Sequence, residues 1–493
     1  MLLTWLMVTP LIGGCAAWAA GRRPTIARGI ALGACACQLL LALWAGHRAL
    51  PYGGSLEQRA PWIPALGVSY HLAFDGLSLL LVTLTAGLGM VAVACSWREV
   101  QSRVGAFHGV LLAILAGVTG VFLARDLLLF YFLWELMLVP MYFLIAIWGH
   151  EKRAQAAIKF FLFTFIPSLL MLAAILGLVY SHYRWTGALT FDADSLRGTP
   201  VSPALAGWLM AGFFLAFAVK LPAVPLHTWL ADAHTEAPTG GSVVLAGLLL
   251  KTGAYGLLRF AIPLFPEASQ AFAPVACAVG VAGILYGAAL SFAQFDLKRL
   301  VAYSSISHMG FVLLGCYGGN ELARQGAVTQ MLAHGVSTGA LFVVAGIVQE
   351  RCQTRELNKL GGLWETAPRL GGFTLLFALA ALGLPGMGNF IGELLVLLGA
   401  FPTHPVLASA GALGFVLSAV YALRLLQRSV YGPNTHGWRM ADLTAREMIT
   451  LGGLAAAVLW LGLHPNPVLR AASRSLQRAE CRQVQRMHDE GRP

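Results

Sequence analysis

The stretch FAVKLPAVPLHTWLADAHTEAPTGGSVVLAGLLLKTGAYGLLRF (217–260) decides the fold class of this chain. It contains two apolar runs with a lysine in each, Lys220 and Lys251, and a polar segment between them. Pro222 and Pro225 remove backbone donors and clash with the preceding turn, so the first helix should break directly after Lys220. Freed backbone groups are tolerable inside a membrane only beside other protein or a wet cavity. The stretch therefore predicts a membrane-spanning helix that is broken next to a buried charge.

The whole chain has the composition of a membrane protein. Of its 493 residues, 58% are hydrophobic and 11% are charged, and the mean hydropathy is +0.71. A soluble domain has about 25% charged residues. A helix needs about 20 apolar residues to cross the bilayer core, and about fourteen such stretches use up nearly the entire sequence. The sequence predicts an all-α polytopic membrane protein with no soluble domain.

A second apolar run is interrupted in the same way. The stretch ALGLPGMGNFIGE (381–393) places Pro385 and Gly386 at the centre of a predicted span, about five spans after the first break. Paired broken helices in corresponding positions indicate two repeats, and an odd number of spans per repeat makes them inverted. The predicted organisation is an N-terminal three-helix segment (1–106), a first repeat of spans 4–8 (107–262), a second, inverted repeat of spans 9–13 (263–431), and a last span with a basic tail (432–493).

The net charge of +11 does not indicate nucleic-acid binding, because most basic residues follow the pattern of inside loops. Loops around Arg98, Lys152 and Lys298 are basic, so the N-terminus is predicted outside, and an even number of spans places the C-terminus outside too. The tail conflicts with this pattern, since arginines recur every four residues at Arg470, Arg474, Arg478, Arg482 and Arg486. This ladder is interpreted as a solvated or headgroup-facing helix face, or as a partner-binding helix.

Four ionisable residues lie within predicted spans or at their breaks: Glu135, Lys220, Lys251 and Glu393. A charge at mid-bilayer costs about 2.5–3.5 kcal/mol on insertion scales. Loss of hydration favours the neutral form of such a group, whereas a nearby opposite charge favours the charged form. We therefore predict a proton path, with Glu135 and Lys220 as a switch pair, Lys251 as the central carrier and Glu393 as the exit-side carrier. The alternative is a set of static ion pairs that hold helices together.

Two histidines extend the predicted path. His308 and His334 lie inside spans ten and eleven, and an imidazole can accept a proton at one nitrogen and donate from the other. Hydrogen-bonded packing is the alternative role. His227 and His234 lack further ligands at zinc-site spacing, and the eight cysteines form no CxxC pair. No nucleotide-binding signature occurs in a strand–helix context, so neither NADH nor ATP is expected to bind here.

Several other polar or aromatic residues are given simpler roles. Lys159, at the inside edge of span six, either snorkels to the headgroups or supplies Glu135. The aromatic runs near Trp134, Tyr142 and Trp148 are interpreted as interface anchors, with a quinone site as the alternative. The acids at span ends are predicted to be solvated, namely Asp75, Asp126, Asp296 and Glu236.

Four motifs carry a family resemblance: WELMLVPMYFLIAIWG (134–149), the opening stretch (217–260), QFDLKRLVAYSSISHMGF (294–311) and GMGNFIGELLVLLGAF (386–401). They resemble the subunit M family of NADH-quinone oxidoreductase (respiratory complex I), the bacterial counterparts of mitochondrial subunit 4. These belong to a wider group of antiporter-like subunits. The similarity extends over nearly the whole chain and is weakest at its two ends.

The resemblance implies a fourteen-helix subunit with two inverted five-helix repeats in the bacterial inner (plasma) membrane. Such a subunit pumps protons beside antiporter-like subunits L and N, while NADH, FMN, iron–sulfur clusters and quinone are bound by other subunits. The family's functional residues fall on Glu135, Lys220, Lys251, His308, His334 and Glu393. Glu393 favours subunit M over subunit N, which has a lysine there, and Ala231 replaces a proline that is usual in the family.

Related assemblies share the same carriers. An Mrp-type cation/proton antiporter or a membrane-bound hydrogenase remains open as the alternative, and a passive membrane scaffold is a third class. The transported ion could also be sodium, although carriers of the His and Lys type favour protons. Whether protons leave within this subunit or pass to a neighbour is also open.

Overall fold

A computed structural model describes residues 1–49 and 55–477. The helices are α1 (Leu2–Ala19), α2 (Pro24–Ala49), α3 (Gly76–Glu99), α4 (Val104–Leu123), α5 (Leu127–Trp148), α6 (Arg153–Thr186), α7 (Pro203–Lys220), α8 (Thr228–Glu236), α9 (Thr239–Leu264), α10 (Pro266–Phe292), α11 (Leu297–Tyr317), α12 (Glu321–Cys352), α13 (Pro368–Ala381), α14 (Gly388–Ala400), α15 (Pro405–Ser429) and α16 (Ala445–Leu463). Strands β1 (Leu56–Ile63) and β2 (Val68–Phe74) form an antiparallel hairpin between α2 and α3. Short helical turns lie at Ala20–Arg22, Pro64–Leu66, Ala193–Leu196 and Leu363–Thr366.

The polytopic all-α fold is confirmed. Within the described ranges, 13 helices are long and apolar enough to cross a membrane. The shorter apolar helices α13 and α14 lie where the sequence predicts one further, interrupted span. The helix order is consistent with the two inverted repeats, and that repeat stays a prediction, as do the segment boundaries given with it.

The first predicted break lies where α7 ends. This helix stops at Lys220, and a new helix, α8, begins only at Thr228. The indole Nε1 of Trp229 donates to the carbonyl of Val219 at 3.1 Å. Because the last carbonyls of a helix lack partners within the helix, this bond satisfies one of them inside the protein. The break therefore leaves Lys220 on the final turn of a helix whose end is held by the following segment.

The helix α9 is fully buried and irregular. Two π-helical segments, Leu245–Leu249 and Leu257–Ala261, flank the α-helical turns that carry Lys251. Gly253 brings α9 against the end of α7, since a Cβ atom there would lie 2.6 Å from the carbonyl oxygen of Phe217. Short π segments are rare and occur mostly at functional sites. The lysine of α9 is thus placed in a distorted helix at the centre of the bundle.

The second predicted break separates α13 from α14. Gly383 and Gly386 have φ angles of 79° and 94°, in a region that side-chain-bearing residues rarely adopt. The hydroxyl of Ser418 donates to the carbonyl of Leu382 at 3.1 Å, which satisfies a group freed by the break. Glu393 lies on the second turn of α14, so this break also adjoins a buried charge.

The structure contradicts the predicted solvation of three acids at span ends. Asp75, Asp126 and Glu236 are buried rather than solvated. Asp75 caps the N-terminus of α3 and accepts hydrogen bonds from Arg125 at 3.0 Å and Arg259 at 2.6 Å. Burial alone would raise the pKa of Asp75, but the charges of these two arginines hold it well below its usual value. Hydropathy could not show this pairing, because the three residues come from distant parts of the chain.

We expect Asp75→Asn to destabilise the protein, because it leaves two buried guanidinium groups without their anion. Removing one partner of a buried ion pair costs about 3–5 kcal/mol. The thermal inactivation midpoint of the purified assembly measures the change. The control is Glu356→Gln, whose ion pair with Lys359 is half exposed and should matter little. Equal midpoints for the two variants would contradict the structural role of Asp75.

The chain continues as a helix over residues 466–477 after α16. The Nε2 atom of Gln477 donates to a carboxylate oxygen of Glu321 at 2.9 Å, and the hydroxyl of Ser473 bonds the other. These bonds hold the segment against the start of α12. The arginine ladder begins here, but Arg478, Arg482 and Arg486 lie outside the described residues, and its role stays a prediction.

Candidate functional site

The central lysine makes two short polar contacts. Lys251 is buried, and its Nζ atom donates to the carbonyl of Ala246 at 2.6 Å. The same Nζ atom lies 2.6 Å from Nδ1 of His334 on α12. The acceptor carbonyl belongs to the first π segment of α9, so the helix distortion itself supplies a ligand to the lysine. The sequence analysis placed Lys251 and His334 on one predicted path, and the structure brings the two side chains into contact.

Polar contacts continue from His334 to two further buried residues. The rings of His334 and His308 have centroids 5.4 Å apart. Nδ1 of His308 lies 2.7 Å from Oε1 of Glu393, and all three side chains are buried. Lys251, His334, His308 and Glu393 thus form one buried row, which we call the central row. Its two histidines contact each other through their rings, and Nε2 of His334 makes no hydrogen bond to the described residues. The row joins an ionisable residue of the first predicted repeat to three of the second.

Two residues that contact the central row were missed by the sequence interpretation. Nε2 of Gln330 donates to Oε1 of Glu393 at 2.8 Å. The hydroxyl of Tyr421 lies 3.2 Å from Nε2 of His308. The one available signal was position, because Gln330 precedes His334 by four residues and so shares its helix face.

The predicted switch pair is less direct. Lys220 is buried, and its Nζ atom makes no hydrogen bond within the described part of the chain. It lies 5.2 Å from the ring centroid of Trp134 and 5.6 Å from that of Phe160. Glu135 is half-buried, acts on Lys220 through its charge, and makes no direct ion pair with it here. The two side chains are therefore close to each other but form no ion pair here, and Glu135 is partly exposed at the surface of the subunit.

A polar route approaches Lys251 from the face that carries the loop between α5 and α6. Lys298, which the sequence places in an inside loop, is fully buried, and its Nζ atom donates to the carbonyl of Ala237 at 3.2 Å. The same Nζ atom lies 3.4 Å from Nε2 of His150. Burial, and then the charge of Lys298, lowers the pKa of His150 to about 4. His234 stacks on Phe342 at 4.5 Å and lies in the electrostatic field of both Lys298 and Lys251.

The route opens into a polar cavity of about 670 Å³ on the same face. His150, Asp232 and Arg299 contribute to its wall. Lys159 also lines it and binds Asp232 at 2.6 Å, while Arg299 binds the other oxygen at 3.1 Å. Lys159 is thus held by an acid of α8, on the segment that follows the first break.

Comparison with known proteins identifies the family. A family model described as NADH:quinone oxidoreductase/Mrp antiporter, TM, matches residues 124–418. The chain is 52% identical over 492 residues to NADH-quinone oxidoreductase subunit M of Pseudomonas aeruginosa, and the match covers 97% of each chain. A chain of respiratory complex I from Thermus thermophilus superposes with a TM-score of 0.88 and 33% identity, covering 98% of this chain and 99% of that one.

A more distant structure shares the fold alone. A chain of the Mrp complex from Dietzia superposes with a TM-score of 0.85 at 20% identity, and the match covers 96% of each chain. The family model spans both kinds of assembly, whereas the 52% identical relative lies on the respiratory side. The chain therefore belongs to the antiporter-like membrane subunits of NADH-quinone oxidoreductase, and among them to the subunit M family.

Proposed function

We infer that this subunit of NADH-quinone oxidoreductase translocates protons across the membrane while other subunits carry the electrons. The observation that carries the inference is the central row, in which Lys251, His334, His308 and Glu393 follow one another through the core. Ionisable groups are costly inside a membrane, and a set aligned in this way is typical of a proton relay. In this proposal the chain is a translocase without a redox cofactor of its own.

The relay runs along the contacts of the row. Lys251 passes a proton to Nδ1 of His334, which lies at hydrogen-bond distance. An imidazole that gains a proton at one nitrogen can release one from the other, so the charge moves on toward His308. His308 then delivers a proton to Glu393, its hydrogen-bond partner. Each transfer leaves the donor ready for the next proton from the inside.

Protons reach Lys251 from the polar inside cavity in this proposal. The neutral His150 accepts at Nε2, beside the buried ammonium group of Lys298. The charges of Lys298 and Lys251 both act on His234, and both of its ring nitrogens are buried and make no hydrogen bond to the residues that the structure describes. It is therefore the group best placed to hand a proton to Lys251.

Glu135 and Lys220 act as the switch. When the carboxylate of Glu135 moves toward Lys220, the ammonium form of the lysine gains stability, and when it withdraws, burial favours release of the proton. The end of α7 contacts α9 at Gly253, and in this proposal the contact transmits movement at Lys220 to the helix that carries Lys251. The half-buried position of Glu135 suits control by a neighbouring subunit.

We expect Lys220→Ala to abolish most NADH-driven proton pumping while the protein remains inserted. Inverted membrane vesicles allow NADH oxidation and acidification to be measured together. Lys359→Ala is the matched control, because Lys359 is a half-exposed inside-loop lysine. A normal ratio of protons to electrons in Lys220→Ala would refute the switch, and loss of pumping in both variants would refute its assignment to Lys220.

The setting of the subunit follows from the same inference. The chain is a multi-pass membrane protein, and we propose the bacterial inner membrane, with both termini on the periplasmic side. Its neighbours in the membrane arm would be the antiporter-like subunits L and N. NADH, FMN, iron–sulfur clusters and quinone would be bound elsewhere in the assembly.

A further inference from the structure

A long apolar groove of about 980 Å³ runs between α3 and α16. Leucines of α2, α3 and α12 form much of its wall, together with Trp460 of α16. Arg446 lies at its inside end, and Pro467 and Ala471 lie at its outside end. The groove thus follows most of the thickness of the membrane, and among the described residues that line it Arg446 is the one charged side chain.

The inside end gathers arginines around an aromatic ring. The guanidinium of Arg28 lies 5.6 Å from the ring centroid of Trp97, and that of Arg446 lies 6.0 Å from it. Arg98 is near enough to act on Arg446 through its charge. The Nε atom of Arg446 is buried and makes no hydrogen bond within residues 1–49 and 55–477. These three arginines and Trp97 are called the arginine cluster below.

The acids around the cluster are largely engaged with other groups. Glu447 binds Arg351 at 2.6 Å and caps α16 through the N–H of Thr444. Both carboxylate oxygens of Glu99 accept from the N–H of Thr239 at 3.0 Å. Glu447 nevertheless acts on Arg446 through its charge, and the exposed Glu350 does so as well. When Arg351 is counted with the cluster, four arginines stand against these three acids, so this end of the groove has a small excess of positive charge.

The groove also has open space at two glycines. A Cβ atom added to Gly87 of α3 or to Gly453 of α16 would meet no other atom within 4 Å. Both residues line the groove. Because packed interiors leave few voids, such a gap on the membrane side is suited to an apolar chain.

We propose that this groove binds an anionic diacyl phospholipid of the inner leaflet. Its phosphate lies at the arginine cluster, where guanidinium groups bind phosphate oxygens in a fork geometry. Its acyl chains follow the groove past Gly87 and Gly453 and fill the space there. Basic pockets between membrane helices on the cytoplasmic side bind anionic headgroups in this manner, and an apolar slot alone would not select charge.

Photolabelling of the intact complex tests the proposal. Purified complex is placed in phosphatidylcholine nanodiscs that contain a trace of phosphatidylglycerol with a diazirine on one acyl chain, or of phosphatidylcholine labelled in the same way. We expect the phosphatidylglycerol probe to label groove peptides of α3 and α16 about fivefold more than the phosphatidylcholine probe. Labelling requires no turnover, so the result is independent of the proposed proton path.

Two pairs of variants locate the site. Gly453→Leu should remove most of the labelling by filling the groove, whereas Gly452→Leu, which also has open space but lies off the groove, should not. Arg446→Gln should abolish the preference for phosphatidylglycerol, whereas Arg439→Gln, at an exposed inside-loop position, should preserve it. Equal labelling by the two probes would overturn the proposal. Absence of labelling by both would overturn it too, because a helix of another subunit then covers the groove.

Discussion

Lys251→Met is expected to abolish NADH-driven proton translocation by this subunit, with a loss of at least about tenfold in the rate of its relay. Methionine has a similar length and fills the buried space, but it cannot hold a proton for His334. The contact between Nζ of Lys251 and Nδ1 of His334 is the first step of the central row, so no later carrier can compensate. Acidification per NADH oxidised, measured in inverted vesicles, gives the result.

A second variant tests whether position 251 needs a group that releases its proton or only a positive charge. Lys251→Arg keeps the positive charge, but a guanidinium group does not release its proton in proteins. We expect this variant to be as defective in pumping as Lys251→Met, although it restores a cation beside the carbonyl of Ala246. Normal pumping by Lys251→Arg would show that the position needs charge alone, and the carrier role would be wrong.

Glu393→Gln is expected to block the far end of the row. Glutamine has nearly the same shape, and it can still form a hydrogen bond with His308 and one with Gln330. It cannot take up and release a proton, so protons that reach His308 have no acceptor. We expect the membrane potential at equal NADH turnover to fall, with the amount of assembled protein unchanged.

The control for this prediction is Glu365→Gln, which removes an exposed carboxylate from the inside loop before α13. It should pump normally. An unchanged membrane potential in Glu393→Gln would count against the exit-side role, and loss of assembly would indicate that the carboxylate is needed for packing. Gln330→Ala, which leaves the acid in place, would then distinguish packing from proton transfer.

The buried ionisable residues could be predicted from the sequence because charge in an apolar run is costly and therefore conspicuous. Lys220, Lys251 and Glu393 were found in this way, and the structure buries all three. Gln330 and Tyr421 could not be found, since neutral polar residues occur in many membrane helices without a special role. Their positions become informative only when α11, α12, α14 and α15 are brought together.

The sequence predictions that the structure contradicts also have physical causes. Lys298 was placed in a loop because hydropathy locates the end of a span only to within several residues, and one turn decides whether a lysine is buried. The acids at span ends were called solvated because their partners, such as Arg259 for Asp75, are far away in sequence. The half-buried position of Glu135 reflects the surface of a single subunit, which one sequence does not reveal.

The two π segments of α9 have a mechanical consequence. Each holds one residue more per turn than an α-helix, so the helix between them is joined to its ends by two wide turns. An α-helix advances about 100° per residue. Shifting one residue from one wide turn to the other would swivel the segment Leu250–Gly256 by about that angle. Lys251 would then turn away from His334 while both ends of α9 stay in place.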